Sequence, residues 1–245
     1  IYVHENYLSE IEKTITFSGV LKTFNSCENL KSEQIELLIS LGGDGTILDT
    51  LSLIIDSNIP IAGVNLGRLG FLSSIDKNHI AEAIEALVKG NFTLDKRTVL
   101  HLESNIPVFK GMNYALNDCT ISKRDTSSMI VVHTYVDGEF LNSYWADGLI
   151  IATPTGSTGY SLSCGGPIIF PNSGNFVITP IAPHNLTMRP IVIPDDAALS
   201  FEIEGRGENF LCTLDSRYET ITKKHRLTVK KAGFTINVAR LFERN

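Results

Sequence analysis

The sequence predicts two domains: an α/β domain with a parallel sheet over residues 1–95, and an all-β sandwich domain over residues 96–245. The first part alternates strand-like and helix-like segments, and its apolar runs are short and nearly continuous, as in parallel strands covered on both faces. The second part consists of many short β-rich segments separated by turn residues, a spacing typical of two packed sheets. The change of periodicity therefore predicts the domain boundary.

Apolar spacing predicts the elements of the first domain. Residues 37–41 and 59–64 are predicted parallel strands, and Tyr2-Val3 is predicted to be an earlier strand with room for another βα unit upstream. A helix between the two runs is predicted from four apolar residues on one face: Ile47, Leu51, Ile54 and Ile55.

A second helix is predicted with Asp76 as its N-terminal cap and Gly90 as its C-terminal stop. Its inward stripe is predicted to consist of Ile80, Ile84, Leu87 and Val88.

Turn signals divide the second half into strands. Residues 129–136 and 139–144 flank Asp137-Gly138, which is a strong signal for a two-residue hairpin. The other predicted strands are residues 149–152, 176–178, 191–193, 199–203, 210–214, 226–229 and 234–238. This number of short strands favours a sandwich of two sheets.

Composition excludes several classes of function. The chain has 43% hydrophobic and 20% charged residues, which is typical of a soluble globular protein. Its formal charge is −6 and no lysine or arginine stripe is present, so binding to nucleic acid or to an anionic membrane is not expected. No apolar stretch approaches the roughly 20 residues that span a bilayer. The four cysteines lie far apart without a CxxC pair, which predicts reduced thiols in a cytoplasmic protein.

Residues 42–46 read Gly-Gly-Asp-Gly-Thr, directly after a predicted strand and before a predicted helix. This arrangement gathers backbone N–H groups at a positive helix end, where phosphate oxygens are held. The motif lacks the ending of a P-loop and the spacing of the dinucleotide fingerprint. Phosphate repels a carboxylate such as Asp44 unless the carboxylate binds a metal or accepts a proton, so the loop indicates phosphoryl transfer. The alternative is an ordinary strand–turn–helix connection with Asp44 as the N-cap.

Residues 147–167 combine a short strand with many small and hydroxyl-bearing residues. Such residues allow a ligand to approach the backbone closely, and Tyr160 offers a flat face for a purine. The alternative is a long polar loop. Asn117-Asp118 could bind a base edge and ribose hydroxyls, although this dipeptide is more common in turns. Residues 65–72 follow a parallel strand, at the end where α/β sites form.

Together these segments resemble the NAD kinase family. The resemblance covers nearly the whole chain, in the family's order: residues 42–46, 65–72, 117–118, 147–167, 179–190 and 215–217. Gly-Gly-Asp-Gly is shared with lipid and phosphofructokinase-type kinases, whereas residues 65–72 and 154–167 are more diagnostic. The resemblance implies a Rossmann-like α/β phosphate-loop domain and a β-sandwich NAD-binding domain, assembled as a homodimer or homotetramer.

The resemblance also implies the reaction. The γ-phosphoryl group of ATP, with a divalent metal such as Mg²⁺, is transferred to the 2′-hydroxyl of the adenosine ribose of NAD, giving NADP. Asp44 matches the proton acceptor, although a metal-ligand role for it stays open, and Gly45 matches a backbone contact beside it. Asn117 and Asp118 match the pair that binds adenine and ribose. The further NAD contacts that the resemblance implies are Phe71, Asp147, Thr158, Gly159, Tyr160, Ser161, Leu162, Ser163, Ala182 and Arg217.

The chain departs from the family's pattern at several positions. Asp118 stands where glutamate is common, Gly159 where alanine is common, and Trp145 where a basic or polar residue is frequent. The family's first βα unit and closing C-terminal helix are not visible in this sequence. Two alternative functions are a diacylglycerol- or sphingosine-type lipid kinase, which would share the glycine loop, and a non-catalytic NAD(P)-binding sensor. A lipid kinase should also carry an acyl pocket or a basic membrane-facing stretch, and neither is visible in this acidic chain.

Overall fold

A computed structural model describes residues 1–16, 19–67, 70–124, 128–185 and 187–242. The chain forms two compact units: Ile1–Leu94 together with the chain from Asn237 onward, and Asp95–Ile236. The sequence-based prediction assigned all residues after 95 to the second domain. The segment from Asn237 belongs to the first unit because Val238 pairs in parallel with Ile61 there.

The first unit alternates strands and helices. Its elements are β1 (Tyr2–His4), α1 (Glu5–Thr14), β2 (Lys22–Phe24), α2 (Cys27–Ser32), β3 (Leu38–Leu41), α3 (Asp44–Ile54), β4 (Ile61–Asn65), β5 (Ile75–Asp76) and α4 (Ile80–Val88). Strand β4 pairs in parallel with β3 and β5, and β1 pairs in parallel with β2. The predicted α/β class with a parallel sheet is therefore confirmed.

Helix α3 packs closely against β4. Ile47, Leu51 and Ile54 are buried, as predicted, whereas Ile55 is the C-cap and has left the helical conformation. The Cδ1 atom of Ile47 lies over Gly63, where a Cβ atom would come within 2.5 Å of it. The missing side chain of Gly63 thus lets the helix pack closely against the sheet.

Helix α4 differs from its prediction in two respects. Ala83 and Leu87 are buried, but Ile84 and Val88 are exposed, so the predicted inward stripe is wrong at those two positions. Because the buried face is centred on Ala83 and Leu87, the side chains of Ile84 and Val88 point away from it. Asp76 caps a 3₁₀ turn that precedes the helix, and not the helix itself. The end of the helix is as predicted: Gly90 has φ +71°, a conformation that favours glycine.

The second unit is almost entirely β. Its elements, with the strands at its borders, are β6 (Phe92–Ser104), β7 (Tyr114–Ala115), β8 (Asp118–Lys123), β9 (Ile130–Val136), β10 (Glu139–Ala146), β11 (Gly148–Ala152), α5 (Tyr160–Ser163), β12 (Asn175–Ile181), β13 (Ile191–Pro194), β14 (Leu199–Gly205), β15 (Asn209–Leu214), β16 (Arg217–Thr222) and β17 (Leu227–Leu241). One antiparallel sheet has the order β13-β12-β11-β8-β15-β16, and β10-β9-β14-β17 form a second antiparallel ladder.

The two sheets of this unit share one apolar core. Phe176 and Phe210 from the first sheet and Tyr144 and Phe201 from the second are each at most 1% exposed and belong to the same cluster. The predicted all-β sandwich is therefore confirmed. The hairpin at Asp137-Gly138 is confirmed as well, since both residues have positive φ, as a two-residue turn of type I′ requires.

Strands β2, β5, β7, β8 and β16 were not predicted, and β17 and β6 also differ from the sequence prediction. Residues 226–229 and 234–238 were predicted as separate strands but lie in the single strand β17, since Gly233 has no positive φ and the chain does not turn there. Strand β6 was not predicted, because Asp95, Lys96 and Arg97 interrupt its apolar pattern.

The structure also bears on membranes and thiols. No helix within the described parts of the chain is both long and apolar enough to cross a bilayer. All four cysteines are free thiols, with Cys119 and Cys212 buried.

Candidate active site

Asp44 is the first residue of α3, and its carboxylate is held by the backbone of a neighbouring loop. The N–H group of Phe71 donates to Oδ2 at 2.8 Å, and those of Leu72 and Ser73 donate to Oδ1 at 3.1 and 2.9 Å. Gly43 is the N-cap of the helix, and no side chain caps it. The alternative interpretation of Asp44 as the N-cap of its own helix is therefore wrong. We call Asp44 and the backbone of residues 71–73 the Asp44 clamp.

Glycine makes the Asp44 clamp possible. A Cβ atom at Gly70 would lie 2.1 Å from Oδ1 of Asp44, so only a residue without a side chain lets the loop approach the carboxylate this closely. The hydroxyl of Ser73 donates to the carbonyl of Gly42 at 3.0 Å, which ties the loop to the start of the glycine motif. The motif and the loop after β4, separate in the sequence, thus form one structure in the first unit.

The remaining predicted residues of the first unit lie beside the Asp44 clamp. Gly45 is exposed, with open space where a side chain would be. Phe71 has an exposed ring, and its carbonyl accepts a hydrogen bond from Arg240 at 2.6 Å. Arg68 and Leu69, in the predicted loop 65–72, lie outside the described residues.

In the second unit, a second carboxylate holds the backbone around Asn117-Asp118. The N–H of Leu116 donates to Oδ2 of Asp215 at 2.8 Å, and the N–H groups of Asn117 and Asp118 donate to Oδ1 at 2.7 and 3.2 Å. The N–H of Asp215 in turn donates to the carbonyl of Asp118 at 3.1 Å. We call Asp215 and the backbone of residues 116–118 the Asp215 clamp.

The opposite edge of the same backbone is held by Thr153. Its hydroxyl donates to the carbonyl of Leu116 at 2.6 Å, and its N–H donates to the carbonyl of Asn117 at 2.9 Å. Gly156 packs directly on this backbone, because a Cβ atom there would lie 2.1 Å from the carbonyl oxygen of Asn117. The two predicted segments, 117–118 and 147–167, are therefore joined by these contacts.

The side chains of Asn117 and Asp118 differ in their hydrogen bonding and burial. The side-chain amide of Asn117 makes no hydrogen bond to any described residue, which leaves it available to a ligand. Asp118 is buried, and one oxygen accepts a hydrogen bond from the hydroxyl of Thr120 at 3.0 Å. Burial and then the negative charge of Asp215 raise the pKa of Asp118 to about 6, against the lowering effect of Thr120. Asp118 thus changes charge within the range of ordinary assay buffers.

The hydroxyl-rich segment is not a long polar loop, because it folds into a 3₁₀ turn and the short helix α5. Several of its hydroxyls bond within the protein: Ser161 to Thr179 at 2.8 Å, and Thr158 to the carbonyl of Thr155 at 3.1 Å. Ser161 is buried, whereas Gly159, Tyr160, Leu162 and Ser163 are exposed. The part of α5 that a ligand can reach therefore consists of Tyr160, Leu162 and Ser163.

Tyr160 lies among polar neighbours of the second unit. The neighbouring Cys164, Asp118 and Asp147 each act to raise the pKa of its hydroxyl. Burial is the first cause that raises the pKa of the Tyr160 hydroxyl. Asp147 itself pairs with Lys123 at 2.7 Å, so one of its carboxylate oxygens is engaged within the protein.

Two predicted residues have roles in the local backbone. Ala182 is exposed and has φ +43°, a left-handed conformation that is uncommon for alanine. Arg217 donates to the carbonyls of Met112, at 2.6 Å, and Tyr114, and its guanidinium lies 5.9 Å from the centre of the Phe109 ring. Arg217 thus fixes the chain that leads into residues 116–118.

Sequence reasoning missed two residues that shape the second unit's site. Asp215 appeared only as part of a matching segment, and Thr153 was not singled out. Their contacts join residues that are 36 to 99 positions apart, so no local pattern could reveal them. The only available signal was the position of both within segments that resemble the family.

Two family models together match most of the chain. Residues 3–92 match the ATP-NAD kinase N-terminal domain, and residues 116–241 match the ATP-NAD kinase C-terminal domain. A protein of Cytophaga hutchinsonii named NAD kinase is 52% identical over 206 residues, covering 84% of this chain and 70% of that protein. One of Flavobacterium psychrophilum, also named NAD kinase, is 45% identical over 245 residues, covering 99% of this chain and 83% of that protein.

Solved structures show the same fold. Yeast NADH kinase complexed with NADH has a TM-score of 0.88 at 24% identity, with 99% of this chain and 75% of that chain covered. An NAD kinase from Archaeoglobus fulgidus in complex with ATP has a TM-score of 0.73 at 27% identity, with 97% of this chain and 90% of that chain covered. Both halves of the sequence match one family, and relatives of that family extend over nearly the whole chain. The chain therefore belongs to the NAD kinase family.

Proposed function

We propose that this chain is an ATP-dependent NAD kinase that phosphorylates the 2′-hydroxyl of the adenosine ribose of NAD. A bond forms between the ribose 2′-oxygen and the γ-phosphorus of ATP, and the bond from that phosphorus to the β,γ-bridging oxygen breaks. The hydroxyl proton passes to a base, and the products are NADP and ADP. The observation that carries this proposal is the 45% identity to a named NAD kinase over 99% of the chain.

Asp44 is the base in this proposal. A sugar hydroxyl is a poor nucleophile at neutral pH, and a carboxylate that accepts its proton typically contributes about 10²–10⁴-fold to the rate. The Asp44 clamp supports this role because it fixes the carboxylate without using all of its acceptor capacity. Oδ2 accepts one N–H among the described residues, and a carboxylate oxygen can accept a second hydrogen bond.

The second unit binds NAD in this proposal. The free amide of Asn117 suits the adenine edge, and the Asp118 carboxylate suits the ribose hydroxyls. The exposed ring of Tyr160 offers a stacking surface for the base. Further contacts are assigned to Asp147, Thr158, Gly159, Ser161, Leu162, Ser163, Ala182 and Arg217. For Ser161 and Arg217 the internal hydrogen bonds favour a role in shaping the site.

The divalent metal is assigned to ATP. Among the residues that the structure describes, no three His, Cys, Asp or Glu side chains gather into a metal site. The Asp44 oxygens already accept three N–H groups, so the side chains present do not form a metal cage. Mg²⁺ is commonly held by substrate phosphates and water together with few protein ligands. When bound, it would neutralise the charge on the transferring phosphoryl group.

Assembly and location follow the family resemblance. We expect a homodimer or homotetramer, and exposed aromatic side chains such as Phe140 and Trp145 offer apolar surface for it. Four free thiols suit the reducing cytoplasm. Light scattering of the purified protein would give the mass of the assembly.

The test is an assay of NADP formation from ATP, Mg²⁺ and NAD with the purified protein and two variants. Asp44→Asn should lower kcat by about 10²–10⁴-fold, because the amide cannot accept the hydroxyl proton, and should leave the Kd for NAD nearly unchanged. Asp49→Asn, the same change further along α3, should keep wild-type turnover. Near-native turnover in Asp44→Asn would remove Asp44 from the chemistry. A wild-type protein that binds NAD without forming NADP would be a non-catalytic sensor.

A further inference from the structure

We infer that Asp215 is the positioning residue for the NAD-binding pair, holding Asn117 and Asp118 in the conformation that receives the adenosine. The inference rests on the proposed function of that pair and assigns Asp215 no contact with NAD. Its basis is the Asp215 clamp, in which one carboxylate accepts the N–H groups of three consecutive residues. Since Thr153 holds the carbonyls of Leu116 and Asn117, both edges of this backbone are fixed.

The turn itself does not require an aspartate. Asp215 has φ +53°, a left-handed conformation that asparagine and glycine also adopt readily. Burial raises the pKa of Asp215, so the enclosed charge works against the fold, whereas the three N–H groups and Arg217 favour the charged form. An asparagine would avoid the cost of the enclosed charge but could not accept from all three N–H groups. The carboxylate is therefore explained by the backbone it holds.

The same charge acts on the ligand-binding acid. Four neighbours act on Asp118 or are acted on by it. Asp215 belongs to the turn after β15, Tyr160 and Cys164 to α5 and the residue after it, and Thr120 to the same strand as Asp118. Asp147 faces Tyr160, and Arg217 faces Asp215. The negative charge of Asp215 raises the pKa of Asp118, which must be ionised to accept hydrogen bonds from two ribose hydroxyls. Asp215 thus sets both the position and the charge of its neighbour.

The test compares Asp215→Asn with Asp137→Asn. Asp137 also has positive φ, and its carboxylate accepts one backbone N–H, that of Ala198 at 2.9 Å, in the β9–β10 hairpin. It is therefore a matched control for the same substitution at the same backbone conformation. The Kd for NAD is measured by calorimetry between pH 5 and 8, and KM and kcat are measured with saturating ATP.

Asp215→Asn should raise the Kd and KM for NAD by about tenfold, the effect of losing one charge-assisted hydrogen bond, with kcat changed less than about threefold. The acid limb of NAD binding should move to lower pH, because Asp118 then loses its proton more readily. Asp137→Asn should change neither the Kd and KM for NAD nor the pH dependence of NAD binding. A merely structural role of Asp215 would lower the melting temperature of Asp215→Asn without moving the pH profile.

Hydrogen exchange separates this inference from the proposed function. The amides of residues 116–118 should exchange faster in Asp215→Asn than in the wild type, whatever the protein catalyses. If the wild type forms no NADP, the proposed function fails, and the exchange rates alone decide whether Asp215 holds this backbone. An active enzyme in which Asp215→Asn leaves the NAD affinity, the pH profile and these exchange rates unchanged would overturn the inference.

Discussion

Asp44 and Asp215 make the same set of bonds in two different settings. Each carboxylate accepts hydrogen bonds from three consecutive backbone N–H groups of another segment of its own unit. Asp44 begins the helix α3, whereas Asp215 lies in the turn between β15 and β16 with φ +53°, and burial raises the pKa of its carboxyl group. The comparison teaches that this bonding pattern alone does not distinguish the acid proposed to react from the acid proposed to hold the chain.

This difference predicts a division of tasks between the two units. Changes at the Asp44 clamp should affect turnover and leave NAD affinity nearly intact. Changes around the Asp215 clamp should affect NAD affinity and leave turnover nearly intact. Variants that violate this division would show that the two clamps are not specialised.

After Asp44→Asn, the largest effect is expected for Gly70→Ala. The new Cβ atom would lie 2.1 Å from Oδ1 of Asp44, so the carboxylate or the loop must move by about 1 Å. Misplacement of this size can cost about 10²-fold in rate, and we expect that loss in kcat from steady-state kinetics. The Kd for NAD should stay close to the wild-type value.

Gly67→Ala is the control for this prediction. It lies in the same loop, and its nearest neighbour would be Oδ1 of Asn65 at 3.9 Å, an ordinary contact. If Gly70→Ala and Gly67→Ala turn over equally fast, the position of Asp44 does not limit catalysis.

A smaller effect, on affinity, is expected for Tyr160→Ala. Stacking of a base on an aromatic ring is worth about 1–3 kcal/mol, so the Kd for NAD should rise by about 10- to 100-fold. Calorimetric titration would measure it. Tyr218→Ala removes an exposed ring from β16 of the same unit and should bind NAD normally. An unchanged Kd in Tyr160→Ala would mean that the adenine binds elsewhere.

The smallest effect is a pH-dependent gain in stability from Asp118→Asn. The pKa of Asp118 is raised from 3.8 to about 6 in the folded state, so this group favours folding fully below pH 3.8 and loses that contribution as the pH rises to about 6. The asparagine does not titrate. The variant should therefore match the wild type near pH 4 and exceed it by about 1–3 kcal/mol above pH 6. Urea unfolding at several pH values would measure this, and a constant difference would contradict the assigned titration.

Local patterns predicted much of the fold. Apolar runs located β3 and β4, the face formed by Ile47 and Leu51 located α3, and Asp137-Gly138 located the hairpin, because each signal lies within a few neighbouring residues. The boundary between buried and exposed faces was less accurate. Ile84 and Val88 are apolar but exposed, since the helix buries only the face that reaches the sheet.

The partners of the site residues could not be predicted in the same way. Asp44 was evident from its glycines, but its bonds to residues 71–73 depend on a loop that begins only after β4. The bonds of Asp215 span nearly 100 residues. Hydroxyl groups posed the opposite problem: Ser161 and Thr158 looked available in the sequence, yet each bonds within the protein.

Strand β17 has a consequence for the order in which the protein is built. The first unit takes the pairing of Val238 with Ile61 from a segment that leaves the ribosome long after β4. Domains generally fold during synthesis from the N-terminus. Here the Ile61 end of β4 stays unpaired on the side opposite β3 until translation has passed residue 238. An exposed strand edge is a site of aggregation, so the nascent chain is most vulnerable along β4.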